Sequence, residues 1–137
     1  MKIAVDTNRV IAALVKDSTT RKIIFDRNFQ FVTPDCTMGE IKEHEEELKS
    51  KTNLNNDEFD LLLSLILESI LIIPKSDYEP YLNDCKNDIS DGDDIPVLAV
   101  AIATKAEAIW AHDPHFKEQK KVKVFTNIDL LKISNNK

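Results

Sequence analysis

Glycine is nearly missing from this chain: only Gly39 and Gly92 occur in 137 residues. A P-loop and a Gly-rich dinucleotide fingerprint each need several glycines in one loop, so both are excluded. Cysteine is equally scarce. Cys36 and Cys85 stand far apart and form no metal-type spacing. Two cysteines in a chain of this size point to a reducing compartment rather than a disulfide scaffold. Long apolar runs are lacking too. The longest, from Leu61 to Ile73, is interrupted by Glu68 and is too short to span a bilayer. Asp6, Asn8 and Arg9 break the N-terminal apolar run, which does not read as a signal peptide. The expectation is a cytoplasmic protein with no membrane partner. Basic charge is also in deficit. A formal net charge of -6 argues against nucleic-acid binding through a broad basic face. It leaves room for an enzyme whose surplus acids partly form a metal site.

What is present suits one α/β domain over residues 1–133, with a polar tail at 134–137. The chain is 42% hydrophobic, enough for a real core. Lys2 to Val5 is a short apolar run closed by Asp6 and predicts a buried parallel strand. A helix follows over Asn8 to Lys16, then a second over Lys22 to Arg27 capped by Ser18 or Thr19. Phe29 to Thr33 is the second strand. Thr37 to Lys51 has one apolar stripe and predicts a single charged helix. Asn55 to Ser69 is a Leu-rich helix capped by Asn56 or Asp57. Ile70 to Ile73 is the third strand, and Tyr78 to Lys86 a short helix. Pro96 opens an apolar helix reaching Lys105, followed by a strand at Ala108 to Ala111. Lys121 to Phe125 is the fifth strand and Asn127 to Ile133 the last helix. Strands alternating with helices imply a parallel sheet with right-handed crossovers.

Four groups of acids stand where elements begin or end. Asp6 follows the first strand, and alone it reads equally well as a helix N-cap. Glu40 completes Thr37-x-x-Glu40, a capping-box pattern. Asp91, Asp93 and Asp94 precede the apolar helix, and Asp91 reads as a turn residue. Asp113 follows the fourth strand and precedes a proline, an ordinary turn signal. Jointly they say more. Asp6 and Asp113 both close apolar strands and so share one sheet edge, where α/β folds build their sites. The helix starts carrying Glu40 and Asp94 can face that edge. Clustered carboxylates repel unless protonated or neutralised by a cation. All-oxygen ligands favour a hard divalent ion such as Mg²⁺ or Mn²⁺, and such ions activate water for attack on phosphoryl groups.

The ordered set Val5-Asp6-Thr7-Asn8, Glu40-Ile41, Asp93-Asp94-x-Pro-x-Leu-Ala-x-Ala and Ile109-Trp110-x-x-Asp113-x-x-Phe116 resembles a PIN domain across essentially the whole chain. The resemblance implies a three-layer α/β/α fold with a five-stranded parallel sheet in order 3-2-1-4-5. It implies metal-dependent endonucleolytic cleavage of RNA, and for VapC-like members a toxin paired with an antitoxin. Matched by position, the family's four acids fall on Asp6, Glu40, Asp94 and Asp113. They are the implied catalytic and Mg²⁺- or Mn²⁺-binding residues, with Asn8 and Asp93 in support. The chain departs from the family pattern at Ala111, where Thr or Ser is common, and at His115, where a further acid is common.

Arg9, Lys117, Lys120 and Lys121 are candidate RNA contacts, or else a solvated loop. The excess of leucine in Leu61 to Leu67 is core, or a homodimer or antitoxin surface. Glu40, His44, His112 and His115 could in principle build a zinc or iron site, without the HxH or HExxH spacing such sites use. Rival readings of the whole are a receiver-type Mg²⁺-binding signalling unit and a PIN-like module that binds RNA or protein without cutting.

Overall fold

The computed structural model describes residues 1–15 and 17–136. Five strands pair in the order β3-β2-β1-β4-β5, every pair parallel. They are β1 (Lys2–Val5), β2 (Gln30–Pro34), β3 (Ile70–Ile73), β4 (Ala108–Trp110) and β5 (Lys123–Phe125). This order differs from the flavodoxin-like 2-1-3-4-5 order of receiver-type units, and it removes the signalling alternative.

Successive strand residues point to opposite faces, and here both faces are apolar. Ile3, Val5, Phe31, Ile70 and Trp110 enter one core, and Ala4, Val32, Ile73 and Ile109 the other. A sheet buried on both sides gives continuous apolar strands, the pattern the sequence carries. The first core is covered by α1 (Thr7–Val15), α2 (Ser18–Ile24), α5 (Asn56–Glu68) and α8 (Asn127–Asn135), with Ile41 and Leu48 added by α3 (Cys36–Glu43) and α4 (Glu45–Ser50). The second is covered by α6 (Lys75–Cys85) and α7 (Ile95–Ala103). Every residue of α7 from Val97 to Ala101 is buried. Its alanines, together with Ala4 beneath, let the helix lie close across β1, β2 and β4.

Several expected boundaries move. Asp17, not Ser18 or Thr19, caps α2: its Oδ1 accepts the Thr20 N–H at 3.1 Å. Lys16, the expected end of the first helix, lies outside the described residues, as does Lys137. The single helix over 37–51 is two, broken at His44. Carboxylates disfavour a helix C-terminus and favour an N-terminus. The break turns Glu45, Glu46 and Glu47 from mid-helix residues into the first turn of α4. Asn55 caps α5, in a reciprocal box with Glu58 at 2.8 and 3.0 Å. Helix α6 starts straight after Pro74, three residues before the expected Tyr78. Helix α8 runs to Asn135, so the first two residues of the expected tail are helical, and the Ser134 hydroxyl bonds the Asp26 carboxylate. Among the described residues no helix is long and apolar enough to cross a membrane.

Candidate metal centre

Because the strands are parallel, their C-terminal ends share an edge. The Asp6 N–H donates to the Trp110 carbonyl at 3.1 Å, holding the ends of β1 and β4 side by side. Asp6 opens α1 through its main chain, its carbonyl accepting the Arg9 N–H at 2.9 Å. Its side chain is buried, and Oδ2 has no hydrogen-bond partner. Asp94 occupies the N-cap position of α7 but makes no side-chain capping bond. Its side chain is 7% exposed, and its Oδ2 also lacks a partner. The Asn8 N–H bonds the Asp6 carboxylate in the manner of a cap, but capping accounts for neither Oδ2. A buried oxygen without a donor is costly, and a cation would satisfy both. The residues fit a divalent ion on that ground.

The electrostatics of the site agree. Burial first, then the charge of Asp113, pushes the Asp6 carboxyl up to about 6, with Arg9 and the Asn8 N–H opposing. Burial, then Asp6, Asp113 and Asp91, pushes Asp94 up to about 7, with His115 opposing. Glu40 is raised by burial and then by Asp93, while His44 lowers it.

The tightest group differs from the expected four. Asp91, Asp94, Asp113 and His115 each offer a ligand atom, and these atoms all lie within 4.8 Å of one another. Asp6 acts on Asp94 through its charge but stands outside this group, and so does Glu40, whose charge reaches Asp6. Asp91 is a turn residue, as expected: its carbonyl accepts the Asp94 N–H at 3.1 Å and its Oδ1 the Asp93 N–H at 3.0 Å. The same turn aims its Oδ2 to 3.7 Å from His115 Nδ1, so a turn role alone is too narrow. His115 Nδ1 lies 3.0 Å from Asp113 Oδ1 and 3.6 Å from Asp94 Oδ2. Burial works against a proton on this ring, but Asp113, Asp91, Glu118 and Asp94 raise its pKa overall.

Local bonds hold the two halves of this group together. Glu118 accepts from Ser90 twice, the N–H at 3.2 Å and the hydroxyl at 2.9 Å, clamping the loop before α7 to the 3-10 turn Pro114–Glu118. Lys121 adds an ion pair with Asp88 at 2.8 Å. The expected RNA contact at Lys121 is thus a staple between loops. Sequence reasoning missed Glu118. A signal existed for His115 and Asp91, since each stands two or three residues from a candidate acid across a turn.

The other expected residues spread out. The Asn8 side chain is exposed. Asp93 is exposed, and its charge is felt by Glu40 rather than by the tight group. Arg9 is half-buried and donates to the Thr20 hydroxyl at 3.4 Å, feeling Asp17 more than Asp6. Lys117 and Lys120 are exposed, and Lys117 lines a shallow cleft with His112, Asp113 and Asn127. The scattered-histidine site does not form: His44 pairs with Glu47 and His112 accepts the Asn127 N–H at 3.2 Å. Nor does the Thr37–Glu40 capping box. Asp35 holds the cap position, and the Thr37 hydroxyl instead meets those of Thr7 and Thr33 at 2.8 and 3.1 Å.

Residues 4–126 match the family model described as PIN domain. No curated protein matches the chain. Among solved structures it is similar to a chain in the crystal structure of VapBC2 from Rickettsia felis bound to a DNA fragment from their promoter. Identity is 14%, the TM-score is 0.72, and the match covers 92% of this chain and 98% of that one. At that identity the likeness is one of fold.

Proposed function

The chain belongs to the PIN domain family, and on that premise we propose that it is a metal-dependent endoribonuclease, the toxin of a toxin–antitoxin pair. The observation that carries the reading is the pair of buried, unpartnered carboxylate oxygens on Asp6 and Asp94 at one sheet edge. In this reading Asp6, Asp94 and Asp113 hold Mg²⁺ or Mn²⁺, and Glu40 contributes directly or through water. Bound there, such an ion supplies charge that activates water and stabilises a phosphoryl group in transition. The chain's own residues do the rest. Asp6 directly follows β1 and Asp113 comes three residues after the end of β4, so the β1–β4 ladder brings both toward one edge. Glu40 stands apart from the tight group, its carboxyl raised by burial and by the charge of Asp93 and lowered by His44. Exposed Lys117 and Lys120 follow Asp113 closely and can meet RNA phosphates. For the partner, the similar VapBC2 structure is a complex. In this chain Leu61 and Leu65 of α5 and Leu71 of β3 are exposed apolar side chains that an antitoxin or a second copy would cover.

The test is cleavage of several RNAs in Mn²⁺, with and without chelator, by the parent and by Asp6→Asn. Asn caps a helix about as well as Asp, so a mere cap would tolerate the change. The expected result is parent cleavage that chelator stops, and a folded Asp6→Asn protein that does not cut. Equal cutting by both proteins overturns the reading. Cutting by neither favours a PIN-like module that binds without cleaving.

A further inference from the structure

The proposed acids are all oxygen donors, but the tight group is not. We infer that His115 is a metal ligand, completing a mixed nitrogen–oxygen position with Asp91, Asp94 and Asp113 that prefers a first-row transition ion, Mn²⁺ or Co²⁺, over Mg²⁺. The inference rests on the metal-dependent reading above and deepens it.

Three observations carry it. The four ligand atoms lie within 4.8 Å of one another. Opposite ligands on a six-coordinate ion stand roughly 4.2 Å apart, so the group has the span of one ion. The ligand atoms also face inward. Asp94 Oδ2, on a side chain 7% exposed, and His115 Nδ1 are both buried without a hydrogen-bond partner, 3.6 Å from each other. Finally, the two loops that carry the ligand atoms are held in place. The His115 N–H donates to Asp113 Oδ1 at 2.9 Å, fixing the backbone from which the imidazole projects. The Ser90–Glu118 clamp fixes the opposite loop that carries Asp91. A surface histidine paired casually with one acid would not have three carboxylates around a single nitrogen at 3.0, 3.6 and 3.7 Å.

The consequence for the ion follows from ligand type. Mg²⁺ takes oxygen donors and sheds water reluctantly, whereas imidazole nitrogen raises affinity along the first transition row. One imidazole among three carboxylates therefore biases the position toward Mn²⁺ and Co²⁺, even though the carboxylates alone would admit Mg²⁺.

The test is metal binding by calorimetry to the full chain with Mg²⁺, Mn²⁺ and Co²⁺. The proteins are the parent, His115→Ala, His115→Asp and Asp94→Asn, each checked for fold by circular dichroism. The parent should bind Mn²⁺ and Co²⁺ at least tenfold more tightly than Mg²⁺. His115→Ala should weaken Mn²⁺ and Co²⁺ about tenfold and Mg²⁺ less than threefold. His115→Asp should bring the ratio toward one. In the Co²⁺-loaded parent, proton NMR should show a strongly shifted, exchangeable imidazole N–H that His115→Asp lacks. An unchanged metal ratio in both His115 variants, or a Co²⁺-loaded parent without that resonance, overturns the inference. If Asp94→Asn still loses binding, the metal-dependent reading stands without it. A parent that binds none of the three ions overturns both.

Discussion

The Thr7 and Thr37 hydroxyls meet at 2.8 Å in a buried chain whose direction is fixed by its far end. The Thr33 hydroxyl donates its one hydrogen to the Val5 carbonyl at 2.9 Å. It must therefore accept from Thr37, 3.1 Å away. Thr37 has then spent its own hydrogen and must accept from Thr7. This relay ties the start of α1 to the start of α3 across the ends of β1 and β2, and so positions Asp6 relative to Glu40.

Thr37→Val keeps the shape and removes both central bonds, leaving a buried donor on Thr7 without a partner. The expected loss is about 1–3 kcal/mol of stability, read as a lower urea midpoint. Thr37→Ser keeps the hydroxyl and should recover most of that loss. Equal stability of the Val variant and the parent would show that the relay contributes nothing.

Metal-free stability should rise as pH falls from about 7 toward 4. Folding raises Asp94 to about 7 and Asp6 to about 6 from the ordinary carboxyl value of 3.8. Between those limits the folded state binds more protons than the unfolded chain, so acid favours folding. Their contribution is fully present below the unfolded pKa and lost as pH rises through the folded values. Asp17 and Asp35, both lowered by hydrogen bonds, reverse the trend at more acidic pH. Urea unfolding in chelator across this range measures the slope, and Asp94→Asn should flatten it. A parent that weakens steadily from pH 7 to 5 contradicts the cluster.

Asp6→Asn should make the metal-free protein more stable near neutral pH by about 1–3 kcal/mol, since one desolvated charge leaves the cluster. The same substitution should erase most of the rise in melting temperature that Mn²⁺ gives the parent by linkage. A large Mn²⁺ shift retained in Asp6→Asn would remove Asp6 from the ligand set.

Gln119 is a buried amide with every valence used. Its Nε2 donates to the Phe116 and Val122 carbonyls at 2.9 and 2.7 Å, and its Oε1 accepts from the Lys121 and Val122 N–H groups at 2.9 Å each. Gln119→Glu faces two carbonyls with an acceptor and should cost about 2–4 kcal/mol. Thermal melts should show it as more damaging than Lys120→Glu next door, on an exposed residue.

The sheet was legible because each strand is a short apolar run with a clear stop, and because both sheet faces are buried. The position of Asp6 was legible for the same reason, directly after β1, whereas Asp113 stands three residues past β4 as the cap of the 3-10 turn. Boundaries failed where charge decided them, as at His44, where the run of glutamates splits one helix into α3 and α4. Thr37 failed differently. Its spacing to Glu40 matches a capping box, but a tertiary partner, Thr7, outcompeted the local bond. The grouping of His115 with Asp91 was hidden because a turn residue can also carry its side chain toward a neighbouring loop. The Ser90–Glu118 clamp that sets their distance joins positions no local pattern links.

The four atoms of the tight group come from two turns, at 91–94 and 113–115, linked by nothing but α7 and β4. Closing so short a loop costs little chain entropy, and the cost grows only slowly with length. Asp6 and Glu40 reach the same edge from far earlier in the chain, through the β1–β4 ladder and the threonine relay. The site therefore has a local half carried by the turns on either side of one helix–strand unit and a remote half carried by the central strand and α3. Like charges thus meet at one edge from two sequence distances, the nearby half carrying an imidazole among them and the remote half carrying the more deeply buried acid, Asp6.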